Sequence, residues 1–455
     1  MRRLLLPAFL LLLFSHWLDA QDISRREADP RIEKLVASVS VDRLRQLLAT
    51  LTSFGTRNTL SVSSSTRGIG AARQWIFDEL RRSHSRLQVS VETYRLLPQG
   101  RITREAELHN VLAILPGRSA RRIYISAHYD SLNTPDQTAG VIRPAPLPPG
   151  FNAMEQPGQN HDVDAPGADD NGSGTVLAME LARRFAESEL DFDATLVFLL
   201  VAGEEQGLFG SRAHAQRIAA SGVVVEAVFN NDIVGGSRGG NGVVNSSSVR
   251  VYSEGPEDSG SRSLARYVKR VSAIYVPSHR VRPLARLDRF SRGSDHSSFN
   301  LFGYPAIVFR ESSENLDTQH TGRDTIDGVD FDYLALNVRV NAAAIATLAL
   351  APPRPVVTSE RGQPLIGRLP SGYDANLRWV ASPGAVAYRI YWRDAWANDW
   401  EHQQLVGNVT EFVLRQVSID DVVIGVAAVN ADGHESLVSA YVAPARRDAG
   451  IKLRN

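Results

Sequence analysis

The chain has 455 residues, with 50 basic and 50 acidic side chains and no cysteine. A net charge of zero gives no bulk attraction to nucleic acid or to an anionic membrane surface, and the absence of thiols excludes disulfides and a cysteine-linked lipid. Its length and apolar content suffice for more than one packed domain.

The first stretch, "MRRLLLPAFLLLLFSHWLDA", has two arginines, a short apolar core and then Leu18-Asp19-Ala20. It is laid out as a signal peptide over residues 1–20 and is too short for a permanent span, a signal anchor being the alternative. The mature protein is therefore expected to be secreted or periplasmic and off the membrane after cleavage. Residues 31–52 and 67–84 space their apolar side chains by three and four, predicting two amphipathic helices. Strand-like runs follow in "LQVSVETYRL", "NVLAILPG" and "RRIYISAHYD". Residues 131–166 are rich in proline, glycine and asparagine without periodicity, and read as a long loop. Next come a helix in "SGTVLAMELARRFAESE", a strand in "DATLVFLLVAGEE" and a helix in "FGSRAHAQRIAA". "VVVEAVFNND" reads as a strand, "SRSLARYVKRVSAIY" as a helix, "YPAIVFRE" as a strand and "DYLALNVRVNAAAIATLALA" as a closing helix. Strands alternating with helices, several of them apolar throughout, imply an α/β layer fold with a largely parallel sheet. Beyond the proline-rich "APPRPVV" the pattern turns to short alternating strands, so residues 21–351 are expected to form one domain and residues 352–455 an all-β sandwich.

Several α/β strands end in chemistry. "IYISA" runs into His128-Tyr129-Asp130, "LVFLLVAG" into Glu204-Glu205, and "VVVEAVFNN" into Asp232, while Asp169 and Asp170 stand just before a helix. In open α/β sheets ligands gather beyond the carboxyl ends of strands, so these groups are expected to converge at one edge of the sheet as a cage for a cation. Singly, each has a plain reading: a surface His-x-Asp pair, a turn and helix N-cap, a solvated Glu-Glu turn, and a solvated His320 on a polar loop. A like-charged pair closing an apolar run is costly unless a cation holds it.

The order of "SAHYDS", "PGADDNGSG", "VAGEEQGLFGS", "NNDIVG", "GSDHSSFNLFGYPA" and "HTGRDT" resembles the M28 family of zinc metallopeptidases, secreted aminopeptidases in particular, over residues 31–350. The resemblance implies a three-layer zinc-exopeptidase fold with a mixed, largely parallel central sheet. It makes His128, Asp170 and Asp232 one metal site and Asp170, Glu205 and His320 a second, with Asp170 bridging. It makes Glu204 the general base and Asp130 the carboxylate that orients the histidine ligand, and it predicts a cis Asp170–Asn171 peptide bond. Imidazole and carboxylate donors without thiolate suit Zn²⁺, two per chain, with Mn²⁺ or Co²⁺ as substitutes. Three carboxylate ligands and one bridging hydroxide balance the four positive charges, and a zinc-acidified water is the nucleophile that peptide hydrolysis needs.

Gln319 stands where some family members carry an oxyanion-supporting tyrosine, so either its amide or another residue in the region takes that part. Asp295 and His296 are candidates to brace the ligands or simply to build a loop, and His161 is a candidate pocket residue. His109, His214, His279, His402 and His434 show no partner pattern, and Asn245 and Asn408 begin glycosylation sequons. The C-terminal part resembles a fibronectin type III domain through Trp379, "YRIYW" and "VAAVNADGHES", with Trp396 and Trp400 on an inter-strand loop. It is expected to be dispensable for peptide-bond chemistry. The expected activity is a secreted two-zinc aminopeptidase acting on peptide substrates. The alternatives are a carboxypeptidase, with Arg289, Arg292 and Arg310 as an anchor for the substrate carboxylate, a glutaminyl cyclase, or a non-catalytic binding protein.

Overall fold

Apolar runs that alternate with amphipathic helices can bury both faces of a sheet only by layering helices on each side. A computed structural model of the chain shows this arrangement and describes residues 28–134 and 161–442. The expected signal peptide and residues 135–160 of the expected loop lie outside the described residues.

The N-terminal helical region forms α1 (Pro30–Ala37), α2 (Val41–Thr52) and α3 (Ile69–Ser83). The single helix expected over residues 31–52 is thus two helices. Ser40 ends the first segment and caps the second, its hydroxyl accepting from the amide of Arg43 at 3.2 Å. The chain continues through β1 (Gln88–Leu96), β2 (Ala106–Leu115), β3 (Arg122–His128), α4 (Gly174–Glu187), β4 (Thr195–Val201), α5 (Phe209–Ala220) and β5 (Val225–Asn231). It closes with β6 (Ser248–Ser253), α6 (Gly260–Tyr275), β7 (Arg280–Leu284), α7 (His296–Asn300), β8 (Ala306–Glu311) and α8 (Phe331–Leu350). Strands β6 and β7 and the short α7 had no counterpart in the sequence reading. β7 carries Arg280, Arg282 and Pro283 among its five residues, so it lacks an apolar signature.

The eight strands form one sheet in the order β1-β2-β4-β3-β5-β8-β6-β7. Four of its seven neighbouring pairs are parallel, β3 with β4, β3 with β5, β5 with β8 and β6 with β7. Alternation along the strands assigns the layers. Ile123, Ile125, Leu196, Phe198, Leu200 and Phe229 face the core shared with α2, α4, α6 and α8. Tyr124, Val197, Leu199, Val201 and Val228 face the opposite core, under α5 and α7. Helix α8 is long and apolar enough to cross a membrane, but most of it is buried inside the protein, as a core helix.

After α8, two antiparallel sheets pack face to face around Leu377, Trp379, Tyr388, Ile390, Ile424 and Val426. One sheet joins β9 (Ile366–Arg368), β10 (Ala375–Arg378) and β13 (Glu411–Leu414); the other joins β11 (Ala387–Asp394), β12 (His402–Val406), β14 (Val422–Val429) and β15 (Ser439–Ala440). This sandwich lies against α6 rather than hanging from a free linker. Ser263 donates to the carbonyl of Val438 at 2.8 Å, Arg393 pairs with Asp258 at 2.5 Å, and Leu437 is fully buried in the main core. Trp400 is part of that contact, packed on Tyr391 with the guanidiniums of Arg266 and Arg393 over its ring, whereas Trp396 is 78% exposed.

Candidate metal centre

Parallel register builds the centre. Ser126 pairs with Asn230 across β3 and β5, and His128 pairs with Val201 across β3 and β4. Two residues on from the first pair, His128 and Asp232 leave the sheet side by side, and the β4 chain delivers Glu204 and Glu205 next to them. The centre therefore sits above the three central strands. Positive φ at Gly203 and Gly207 allows the sharp turn that carries the two glutamates.

The fourth group arrives on the π-helical turn Ala168–Ser173 that leads into α4, and its Asp170–Asn171 peptide bond is cis. Asp170 does not cap the helix. Its Oδ1 lies 3.4 Å from His128 Nε2, while its Oδ2 lies 3.0 Å from His320 Nε2. One carboxylate thus faces two separate imidazoles. His128 Nε2 is also 3.6 Å from Asp232 Oδ1, and His320 Nε2 is 3.2 Å from Glu205 Oε2. Ligand atoms of His128, Asp170 and Glu205 lie within 4.8 Å of one another, as do those of His128, Glu204 and Asp232. All five expected ligands and Glu204 come together. His161 does not join them: its Nε2 lies 3.5 Å from Thr103.

Asp130 braces the arrangement. The Nδ1 of His128 is 3.1 Å from the Asp130 carbonyl and 3.5 Å from its carboxylate, leaving Nε2 to face the other ligands. The same carboxylate accepts the amides of Glu204 at 3.3 Å and Glu205 at 3.1 Å, fixing the glutamate turn. Asp232 is split between two duties. Its Oδ2 accepts from Ser294 at 2.5 Å and from Arg310 at 2.9 Å, while its buried Oδ1 has no hydrogen-bond partner. Glu205 Oε1 is likewise buried without one. Orphaned carboxylate oxygens in a closed site are costly unless a cation meets them.

The electrostatics point the same way. Burial raises the Glu204 carboxyl well above its ordinary range, with Asp232, Glu205 and Asp295 adding to the rise against the pull of His128. Burial also lifts Asp295 to about 7, and burial together with Asp169 lifts Asp324 to about 8. Burial works against the charge on His320, yet Glu205 and Asp170 raise it to about 10. Without a metal, the cluster holds itself together with protons, which divalent cations can replace. The donor set is imidazole nitrogen and carboxylate oxygen, with no thiolate, and it fits zinc.

Three residues support the centre in roles that the sequence did not suggest. Arg57 is buried beneath the ligand loops and donates to the carbonyls of Tyr129, Pro166 and Gly167, clamping both approaches to the site. A side chain at Gly167 would collide with Ser131 and with the Asp170 backbone. Asp324 accepts the amides of Asp169 and Asp170, each at 2.9 Å, which holds Asp170 from behind. Arg310 is fully buried and shared between Asp232 and Asp288, at 2.9 and 3.0 Å. Asp324 lay inside the motif "HTGRDT", but nothing local to Arg57 or Arg310 marks them. The expected anchor of Arg289, Arg292 and Arg310 is corrected, because Arg310 is sealed in and Arg289 is bound to Asp288 and Glu314. Two of the histidines without a sequence pattern do have carboxylate partners, His214 with Glu92 at 2.8 Å and His434 with Asp29 at 3.1 Å.

The sequence profile of peptidase family M28 matches residues 110–345. A "probable zinc metalloprotease" of Pyricularia oryzae is 36% identical, over 91% of this chain and 85% of its own. One from Pyrenophora teres f. teres is 34% identical, over 90% and 86%. The LapA aminopeptidase of Legionella pneumophila superposes with a TM-score of 0.53 at 21% identity, over 70% of this chain and 75% of its own. A Porphyromonas gingivalis glutaminyl cyclase gives 0.52 at 20%, over 68% and 98%. At such identities these two structures show a shared fold alone. With a buried carboxylate facing two imidazoles and relatives matched over nine-tenths of its length, the chain belongs to peptidase family M28 and is a zinc metallopeptidase.

Proposed function

We propose that the protein is an exported aminopeptidase that holds two zinc ions and removes N-terminal residues from peptides. The observation that carries this reading is the division of Asp170, one oxygen toward His128 and the other toward His320. His128, Asp170 and the free oxygen of Asp232 would hold one ion; Asp170, Glu205 and His320 would hold the other. Bound zinc supplies Lewis-acid polarisation of the scissile carbonyl and lowers the pKa of a bound water.

The remaining work belongs to the chain. Glu204 is half-buried and its carboxylate has no hydrogen-bond partner among the described residues, unlike the anchored Asp232. Its raised pKa suits a carboxylate that takes a proton from the attacking water and returns it to the leaving amine. Asp130 keeps His128 in one tautomer and orientation. The carboxylate excess favours a substrate that brings its own positive charge, as an N-terminal ammonium does. A carboxypeptidase lacks its cationic cluster here, because Arg289 and Arg310 are consumed by ion pairs.

The test is a mixed peptide library incubated with the purified protein and read by mass spectrometry, alongside zinc analysis. Peptides should shorten from the amino end, with two zinc ions per active chain. Shortening from the carboxyl end, or full activity with a single ion, overturns the proposal.

A further inference from the structure

Gln319 cannot act alone in the place where a tyrosine hydroxyl is absent. Its Nε2 donates to Asp170 Oδ2 at 2.8 Å and its Oε1 accepts from Arg292 Nη1 at 3.0 Å. The amide is thus a bracket, one end on the bridging carboxylate and the other on a guanidinium. Arg292 is an exposed residue, and beyond the bond to Gln319 its guanidinium keeps four further N–H donors.

The backbone under Arg292 is equally fixed. Its own amide donates to the carbonyl of Arg289 at 3.2 Å, and the amide of Arg289 donates to Asp288 at 2.6 Å. Asp288 pairs with Arg310, which also reaches the carbonyl of Gly293 at 3.3 Å and the ligand Asp232. Arg292 therefore stands on a strut built from one metal ligand and leans through Gln319 on another. A long cationic side chain costs entropy to hold in one place, and a surface arginine paired only with a neutral amide gains little stability in return. Among the described residues, no tyrosine hydroxyl with a hydrogen-bond partner pairs with a residue of the centre.

We propose that Arg292, aimed by Gln319, is a catalytic residue that donates hydrogen bonds to the scissile carbonyl oxygen as that oxygen becomes negative. Water adds to the carbonyl carbon, its proton passes to Glu204, and the carbonyl π electrons move onto the oxygen facing Arg292. Collapse restores the carbonyl, breaks the C–N bond and returns the proton to the leaving nitrogen. A guanidinium held in place beforehand stabilises the charged oxygen more than the neutral carbonyl, and so acts on kcat more than on KM. This rests on the hydrolytic reading above but not on which end of the peptide is cleaved.

The test uses the full-length zinc-loaded protein and Arg292→Ala, Arg292→Lys and Gln319→Leu. Each is assayed on the dipeptide that the parent enzyme cleaves fastest and on the C-terminal amide of that dipeptide. Calorimetric binding of a phosphinic pseudodipeptide, whose tetrahedral anion imitates the charged adduct, gives a readout independent of turnover. Arg292→Ala should lower kcat by about 10²–10³-fold on both substrates, weaken the phosphinate by a similar factor, and leave zinc content and KM nearly unchanged. Arg292→Lys should recover part of the loss, and Gln319→Leu should lose less than Arg292→Ala. Unchanged phosphinate affinity overturns the assignment. So does a loss confined to the free-acid dipeptide, which would make Arg292 an anchor for the substrate carboxylate. Cleavage from the carboxyl end would refute the aminopeptidase reading, while the phosphinate measurement would still judge Arg292.

Discussion

Where α6 meets the sandwich, each charged side chain touches one of opposite sign. Arg270 meets Glu435 at 3.2 Å, Arg389 meets the same carboxylate at 2.6 Å, and Arg393 meets Asp258. Above β3, β4 and β5 the count is unequal. Asp130, Asp170, Asp232, Glu204, Glu205 and Asp295 crowd around two histidines and Arg310, and buried oxygens of Asp232, Glu205 and Asp295 are left without a hydrogen-bond partner. The difference teaches how to tell buried charge that holds a fold from buried charge that waits for a ligand. Arg270 and Arg393 also leave a buried nitrogen without a partner, so the excess of one sign is what marks a site completed from outside.

Four experiments break or sharpen that contrast. The largest effect is expected where an unmatched carboxylate handles protons. Glu204→Gln should lower turnover by about 10²–10⁴-fold or more while the zinc content stays that of the parent protein. Zinc loss in this variant would show Glu204 to be a ligand and reverse its role with Glu205.

Next comes the buried arginine that holds Asp232. Arg310→Met leaves Asp232 buried without its arginine and Asp288 with Arg289 alone, which should cost about 3–5 kcal/mol in unfolding experiments on the zinc-free protein. At the matched interface, replacing the whole cluster of Arg270, Arg389, Glu435 and Tyr391 together by Met, Met, Leu and Phe should come out close to neutral. Equal losses in the two cases would erase the distinction.

Removing the metal should expose the excess charge as a pH dependence. His320 is raised from 6.5 to about 10, Asp295 from 3.8 to about 7 and Asp324 from 3.8 to about 8. Each raised group contributes stability that is fully present below its unfolded pKa and is lost as pH rises through its folded value. Asp170 and Asp232, both held below their ordinary values, act in the acid range instead and lose their contribution as pH falls. Chelated protein should therefore melt at a progressively lower temperature between pH 6 and pH 9, and zinc should flatten the slope. An equally flat profile without metal would mean that protons do not hold the empty cluster together.

The smallest effect belongs to the exposed edge of the matched interface. Lys269 and Asp399 pair at 2.5 Å with both side chains about half exposed, so Lys269→Ala should change stability by less than ~1 kcal/mol. A double-mutant cycle with Asp399→Ala checks it.

How much of this was legible before folding follows from the range of each interaction. Apolar runs ending at His128, Glu204-Glu205 and Asp232 mark the carboxyl edge of a sheet, because alternation and run length are local properties of the chain. The break between α1 and α2 hid in a continuous helical period, since Ser40 as an N-cap competes on nearly equal terms with helix continuation. Strand β7 stayed unread because two arginines and a proline mask it, and its place on β6 depends on pairing with another segment.

By itself, then, the sequence determined the α/β class, the sandwich that follows and the strand-end His128, Glu204, Glu205 and Asp232 as local patterns of polarity, whereas Asp170 and His320 stood out only through the order of the family's motifs. Tertiary structure alone decided which oxygen of Asp170 faces which imidazole, that Arg57 clamps the ligand loops, and that Arg310 is sealed behind Asp232 rather than open to substrate. It also decided that the sandwich covers α6 through Trp400 and Arg393. These depend on partners more than forty residues apart in the chain. A buried charge is defined by what surrounds it, and no local period records that.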